Sequence, residues 1–485
     1  MKIKTLFTAL SAVAAIFFWS ACTDQKVSYN PAYRLAFSAD TISFDTVFTT
    51  IGSATAGFMV YNRNSKPLSI SSVTVANGDR SGFRINVDGT APTNNTVRDV
   101  EIRAHDSLYV FVSVTVNPTL QDNPLLISDS IVFVTNENVQ TIQLQAYGQD
   151  VIIFRNKTIH NDTILAANKP YLIYNDLTVD SGKTVTLNAG ARLYFHQNGY
   201  LKIKGNLIAD GTQEQPIQMR GDRLDYLFPD VPYSYLSGQW GGVQLLGQWS
   251  MLYLNQVTIT GGRTGLDIPN KSFVNQPVIT INNSLIQNFD SCGISATNAK
   301  ITLYNSEISN CKSYCLLLFG GNYDLTHNTI ANYYDDVYAG KRRDGSPSVL
   351  LCNYVKTGNQ TTNYPLMASF VNCAIAGSMS TELAFDTLTT VPAQSTFYYC
   401  YLMRNQINSP DMQNIVWGKL EDNLFVKTDM TNGYYNFQPD SLSVLRGMAN
   451  PTVSNTPPYN IDRKGTNRMW DNKPDTGAYQ WAPAR

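Results

Sequence analysis

Between residues 33 and 150, apolar and polar side chains alternate in short runs. Examples are Gly57-Phe58-Met59-Val60-Tyr61, Leu68-Ser69-Ile70-Ser71-Ser72-Val73 and Leu108-Tyr109-Val110-Phe111-Val112-Ser113-Val114. Ser130-Ile131-Val132-Phe133 and Thr141-Ile142-Gln143-Leu144 continue the pattern. A period of two places one face of each run inward, which predicts half-buried strands. Turn-forming residues separate them: Asn62-Arg63-Asn64, Asn77-Gly78-Asp79, Asp88-Gly89 and Asn123-Pro124. Short strands at this spacing predict an immunoglobulin-like β-sandwich over 33–150.

From residue 151 the pattern changes to a long-period repeat. Ile281-Asn282-Asn283-Ser284-Leu285-Ile286-Gln287-Asn288 returns 22 residues later as Leu303 to Asn310, and again as Leu325 to Asn332. The first and sixth positions are apolar in every copy. The eighth is always Asn, and the third runs Asn283, Asn305, His327. Further copies begin at Leu254, at Phe370 and, more loosely, at Tyr398. Repeats of this length predict stacked coils in which like side chains lie over like. At about 4.8 Å per rung, roughly ten rungs make a rod of about 50 Å. The predicted fold is all-β: the sandwich, then a single-stranded right-handed parallel β-helix over 151–430, then a C-terminal cap over 431–485. A coil exposes strand edges at its ends, and a cap is the expected remedy. Asn288, Asn310 and Asn332 are expected to form a side-chain ladder between rungs.

The N-terminus reads as an address. Lys2 and Lys4 precede an apolar stretch from Leu6 to Trp19, too short to span a bilayer. Ser20 and Ala21 then precede Cys22. This resembles a bacterial lipobox, with 1–21 as the signal peptide, Cys22 as the lipidated residue and 22–32 as a tether. Trp19 stands where an aliphatic residue is usual. The polar residues after Cys22 are similar to the export signals of Bacteroidota surface lipoproteins. The resemblance implies a palmitate-type anchor and an outer-membrane location, at the cell surface.

Other resemblances concern the modules. Phe44 to Phe48 and Ala146-Tyr147-Gly148 bound a segment similar to the Ig-like modules of the ASPM–SPD-2–Hydin type. Leu177 to Leu187, Asn188 to Phe195 and Leu201 to Thr212 resemble the first rungs of secreted pectate-lyase-like (pectin lyase fold) proteins. Trp240-Gly241-Gly242-Val243-Gln244-Leu245 reopens the coil after an insertion, Gly221 to Gly238. Asp462, Gly465 and Arg468, followed by Asp475, Gly477, Ala478 and Tyr479, resemble a choice-of-anchor Q segment and are read as cap residues.

Composition narrows the function. The formal net charge is −1 and only 15% of the 485 residues are charged, so no dense cationic surface exists for nucleic acid. Four His make a multi-His metal site improbable. Beyond Cys22 the six cysteines lack C-x-x-C spacing and read as small buried hydrophobes. No metal and no cofactor is implied.

Candidate chemistry is sparse. A fold is not a function, and neither Gly-His-Gly nor Trp-x-Asp-His occurs. The strongest acidic cluster is Asp335 and Asp336, with Arg342 nearby. On one loop, the carboxylates could hold a cation and Arg342 could act as base. The plain alternative is a solvated turn, and the sequence leans away from an enzyme. His327 is read as stacking in a ladder column and His196 as a rung turn. Tyr226, Tyr233, Tyr235, Trp240 and Trp249 cluster near the insertion and are candidates for stacking on sugar rings. The reading favoured is a non-catalytic interaction or structural lipoprotein. Its partners are the outer membrane, through the lipid on Cys22, and an outer-membrane protein. The alternatives are a glycan-binding surface, with a polysaccharide as partner, and a β-helix lyase or hydrolase.

Overall fold

The structure is a computed structural model that describes residues 26–228, 231–271, 279–336, 340–429 and 435–483. The leader and Cys22 lie outside the described residues. The chain divides into two compact units, Met1–Asp150 and Val151–Arg485. Both are built of strands, and the described residues add only a short α-helix, Pro451–Ser454, and two 3-10 turns. Among the described residues no helix is long and apolar enough to cross a membrane.

The first unit has two sheets around one core. One orders Ala36–Phe37, Ala56–Tyr61, Ser107–Val114 and Phe83–Val87, all antiparallel. The other orders Thr41–Phe48, Asn138–Gln149, Leu125–Thr135, Leu68–Val75 and Thr96–Ile102, with only its first pair parallel. Period-two alternation decides which face is inside. In Ser107–Val114, Leu108, Val110, Val112 and Val114 are buried, while Tyr109 and Phe111 face out. Phe133 joins the sheets by packing on Phe37 (5.0 Å) and edge-on to Phe58 (6.3 Å).

The second unit is one continuous parallel arrangement from Ile152 to Trp417. Each strand hydrogen-bonds to its counterpart one repeat later. Ile294–Tyr304 lies in register with Leu316–Thr326, and Leu285–Phe289 with Glu307–Cys311. Ile281, Leu303, Leu325, Phe370 and Phe397 stack as one buried column; Ile286, Ile308, Ile330, Ile375 and Leu402 form another. Phe370 and Phe397 stack with centroids 4.7 Å apart. The last copy of the repeat therefore begins at Phe397, one residue before the Tyr398 expected from sequence.

The polar columns have separate jobs. The third position turns the chain: Gln256, Asn283, Asn305, His327, Asn372 and Tyr399 all have φ between 48° and 55°. This left-handed region costs Asn least among residues with a side chain, which explains its recurrence. The fourth position carries the ladder. The Ser284 hydroxyl accepts from Val257 N, Ser306 Oγ from Ser284 N, and Asn328 Oδ1 from Ser306 N, at 3.2, 3.1 and 2.9 Å. Cys373 and Cys400 continue it, their thiols donating to Leu325 O and Phe370 O of the preceding rung.

The expected ladder at Asn288, Asn310 and Asn332 does not form. The amide nitrogens of Asn288 and Asn310 are buried without a partner among the described residues. Asn310 Oδ1 instead accepts from Tyr333 N (3.2 Å) and Asn332 Oδ1 from Cys311 N (3.1 Å), so these side chains bond to backbone of the adjacent rung.

The C-terminal segment makes its described contacts along the flank of the stack. Thr476 bonds to Tyr399 O, Gly477 N to Asn372 O, Ala478 N to Thr329 Oγ1 and the Tyr479 hydroxyl to Glu307. Arg468 reaches Asn305, and Gln256 reaches Arg463 O. It ascends from Gln256 at Arg463 to Asn305 at Arg468, and descends from Tyr399 at Thr476 to Glu307 at Tyr479. Small outward side chains, Ala331, Ala374 and Ala376, admit a second core with Tyr401, Leu424 and Phe437.

Candidate functional site

The acidic cluster lies on a small hairpin, Asp335–Asp336 paired with Lys341–Arg342. Adjacent strand residues face opposite ways, and the two carboxylates separate accordingly. Asp336 is buried, its Oδ2 accepting from Ser237 N and Oγ at 3.4 and 3.3 Å. Asp335 is exposed, with Arg342 Nε 3.8 Å away and itself solvated. The pair does not converge on a cation, and Arg342 points at Asp335 rather than into a cleft. Among the described residues no group of three or more His, Cys, Asp or Glu is placed to hold a metal ion.

The neighbouring charges hold the stack together. Lys341 Nζ meets Asp290 Oδ2 at 3.0 Å. Arg343 clasps Glu382 through both nitrogens, at 2.6 and 2.8 Å, with the carboxylate fully buried. Glu382 also accepts from Ser348 N, Ser348 Oγ and Met379 N. Every oxygen lone pair with a donor here serves the fold, as a buried charge requires.

The aromatic candidates part company. Trp240 belongs to the core: it is 1% exposed, stacks on Phe195 at 4.4 Å and donates Nε1–H to Thr260 O. It has no face for a sugar, which corrects the sequence expectation. Gly242, with φ +111°, interrupts the strand's alternation between Trp240 and Val243. Tyr233 lies under the Arg223 guanidinium at 4.0 Å, and Arg223 is held by Asp225. Tyr235 is half-buried. Tyr226 and Trp249 are 47% and 64% exposed but lie on separate segments, the hairpin Tyr226–Phe228 with Val231–Pro232 and the turn after Trp240–Leu245.

One constellation escaped sequence reasoning. Arg155, Tyr174, His196 and Asp222 come from successive rungs and meet at one corner. His196 Nδ1 lies 2.7 Å from Asp222 Oδ2, its ring is 4.8 Å from that of Tyr174, and Arg155 sits 4.2 Å from the Tyr174 centroid. Burial first, and the Asp222 charge second, push the Tyr174 hydroxyl up. An imidazole oriented by a carboxylate can accept a proton at its other nitrogen. The same contact recurs at His160 and Asp180 (2.8 Å), so it also works as a corner clamp between rungs. The signal was available: His196 and Asp222 each follow one member of the register pair Phe195 and Gly221.

His327, by contrast, is sealed. It is fully buried, with Nε2 at 2.9 Å from both Asn372 Nδ2 and Ser454 Oγ. Burial, then the charge of Arg468, hold its pKa well below the ordinary imidazole value.

No protein-family model matches the chain. A stretch of 72 residues is 36% identical to Protein bark beetle of Drosophila melanogaster; it makes up 15% of this chain and spans 2% of that protein. Among solved structures, a protein of unknown function from Porphyromonas gingivalis W83 is similar over 26% of this chain and 50% of its own, at 16% identity and a TM-score of 0.18. The ASH/PapD-like domain of human CEP192 is similar over 27% of this chain and 94% of its own, at 10% identity and a TM-score of 0.17. At these scores neither structure bears on fold or function.

Proposed function

We propose that the protein is a lipid-anchored, outer-membrane lipoprotein of the Bacteroidota type that acts as a non-catalytic interaction module at the cell surface. In this reading Cys22 carries the lipid and 33–150 is an Ig-like sandwich. Residues 151–430 form a right-handed parallel β-helix whose long side meets an outer-membrane protein. The observation that carries it is the use of the charged groups. Asp336 is buried on Ser237 and faces away from the exposed Asp335, so the two carboxylates do not converge, while the neighbouring Arg343 and Glu382 are spent on each other. An extended stack of rungs also offers the lateral area that protein partners use.

A second reading, glycan binding, is favoured by the exposed rings of Tyr226 and Trp249. The anchor is tested by labelling cells with radioactive palmitate and fractionating their membranes. The natural chain is expected to be labelled and to sediment with outer membranes, and Cys22→Ala to be unlabelled and released. Retention of Cys22→Ala in the outer membrane would refute the anchor.

A further inference from the structure

The turn Asp462 to Arg468 is the motif that the interaction reading leaves unused. Its backbone is locked. Asp462 Oδ1 accepts from Lys464 N and Thr466 N at 2.9 and 2.7 Å, and Oδ2 accepts from Gln480 N at 2.7 Å. Gly465 has φ +83°, and a side chain there would collide with Gln213. Behind the turn, Arg468 is fully buried on Asn305.

This rigid turn forms one wall of a cavity of about 610 Å³, with Trp470 and Pro483 on the others. The volume is in the range of small-ligand sites. Trp470 is 44% exposed, and its orientation is set by an Nε1–H bond to Trp481 O at 2.9 Å. Trp481 in turn lies under Arg446, 3.8 Å from the ring centroid. Asn467 uses its carbonyl on Met469 N, leaving the amide nitrogen without a partner among the described residues. Lys464 Nζ rests on the neutral Gln438 Oε1 at 3.0 Å, and no carboxylate of the described residues comes within ion-pair distance.

We propose that this cavity binds a carboxylated saccharide, with Trp470 stacking on the apolar face of the sugar ring, Asn467 and Thr466 meeting its hydroxyls and Lys464 pairing with its carboxylate. A fixed, half-open indole beside amide and hydroxyl groups that have no partner among the described residues suits a pyranose. Glu307 and Asp462 act on the ammonium only from beyond ion-pair distance, so it selects the acidic sugar over its neutral analogue. The site sits on the flank segment and is independent of how the chain is anchored.

The test is an array of uronic-acid and neutral oligosaccharides probed with the full detergent-solubilised protein, followed by calorimetry on the best ligand. Binding to uronic-acid oligosaccharides is expected. Trp470→Ala should weaken it about tenfold or more, Trp470→Phe should restore most of it, and Trp249→Ala should leave it unchanged. Lys464→Gln should abolish the preference for acidic over neutral sugars. Absence of any saccharide binding, equal affinity in Trp470→Ala with an unchanged melting temperature, or loss only in Trp249→Ala would overturn the proposal. A preference for acidic sugars untouched by Lys464→Gln would overturn the assigned selectivity.

Discussion

The Asn372 amide donates to His327 Nε2 across 2.9 Å, joining the same corner of two successive rungs. Ser454 Oγ, also 2.9 Å from Nε2, has a single proton that Nε2 or Asn450 O can accept. Gly477 O faces Nδ1 at 3.3 Å, so the proton belongs on Nδ1 and the ring is neutral. Protonating Nε2 would set it against the Asn372 amide donor in a sealed site. An unfolded imidazole takes up a proton near pH 6.5, whereas the folded one resists to a much lower pH. Lowering the pH below about 6.5 therefore favours the unfolded chain. Urea denaturation at pH 7.5 and 5.5 should show this loss, and His327→Asn, which restores the residue of neighbouring rungs, should reduce it.

Asp475 works in the opposite direction. Burial pushes its carboxyl up to about 6, although Trp481 N and Gly447 N donate to it. The unfolded carboxyl loses its proton near pH 3.9, so this group's contribution declines as pH rises from about 4 through 6. Asp475→Asn should remove that decline, leaving a stability profile that rises more steeply with pH across the same window. An unchanged profile would show that the carboxylate is not buried as described.

The Arg343–Glu382 pair should behave as a buried ion pair. Removing one member strands the other charge in the stack, at a cost of about 3–5 kcal/mol. Glu382→Gln is expected to lose stability on that scale in urea titrations. Arg343→Met combined with Glu382→Leu should cost less than the sum of the single changes. Additive losses would contradict a direct clasp.

Trp240 and Trp249 sit nine positions apart and should respond differently. Trp240→Ala empties a site stacked on Phe195 and should cost about 3–5 kcal/mol. Trp249→Ala alters an exposed ring and should stay within about 0.5 kcal/mol. Equal melting temperatures for the two variants would count against the inward turn of Trp240.

How much of this was legible in the sequence depends on what repeats. The columns headed by Ile281 and Ile286 were readable because stacked strands require like residues at fixed spacing. The role of the Asn columns was not, because a left-handed corner at position three swings position four inward. The ladder therefore falls to Ser284, Ser306 and Asn328 instead of Asn288 and Asn310. Trp240 was misjudged because the irregularity at Gly242 reverses the alternation that Val243 and Leu245 imply. His196 and Asp222 went unpaired because their contact crosses rungs. The lateral course of the C-terminal segment had one trace, the run of small outward residues at Ala331, Ala374 and Ala376.

The central claim, that the protein acts by binding a partner at the outer membrane, is tested most directly by native affinity purification from mildly solubilised outer membranes. The account predicts a stoichiometric outer-membrane protein recovered with the natural chain. Recovery of the chain alone, under conditions that preserve other membrane complexes, would contradict it.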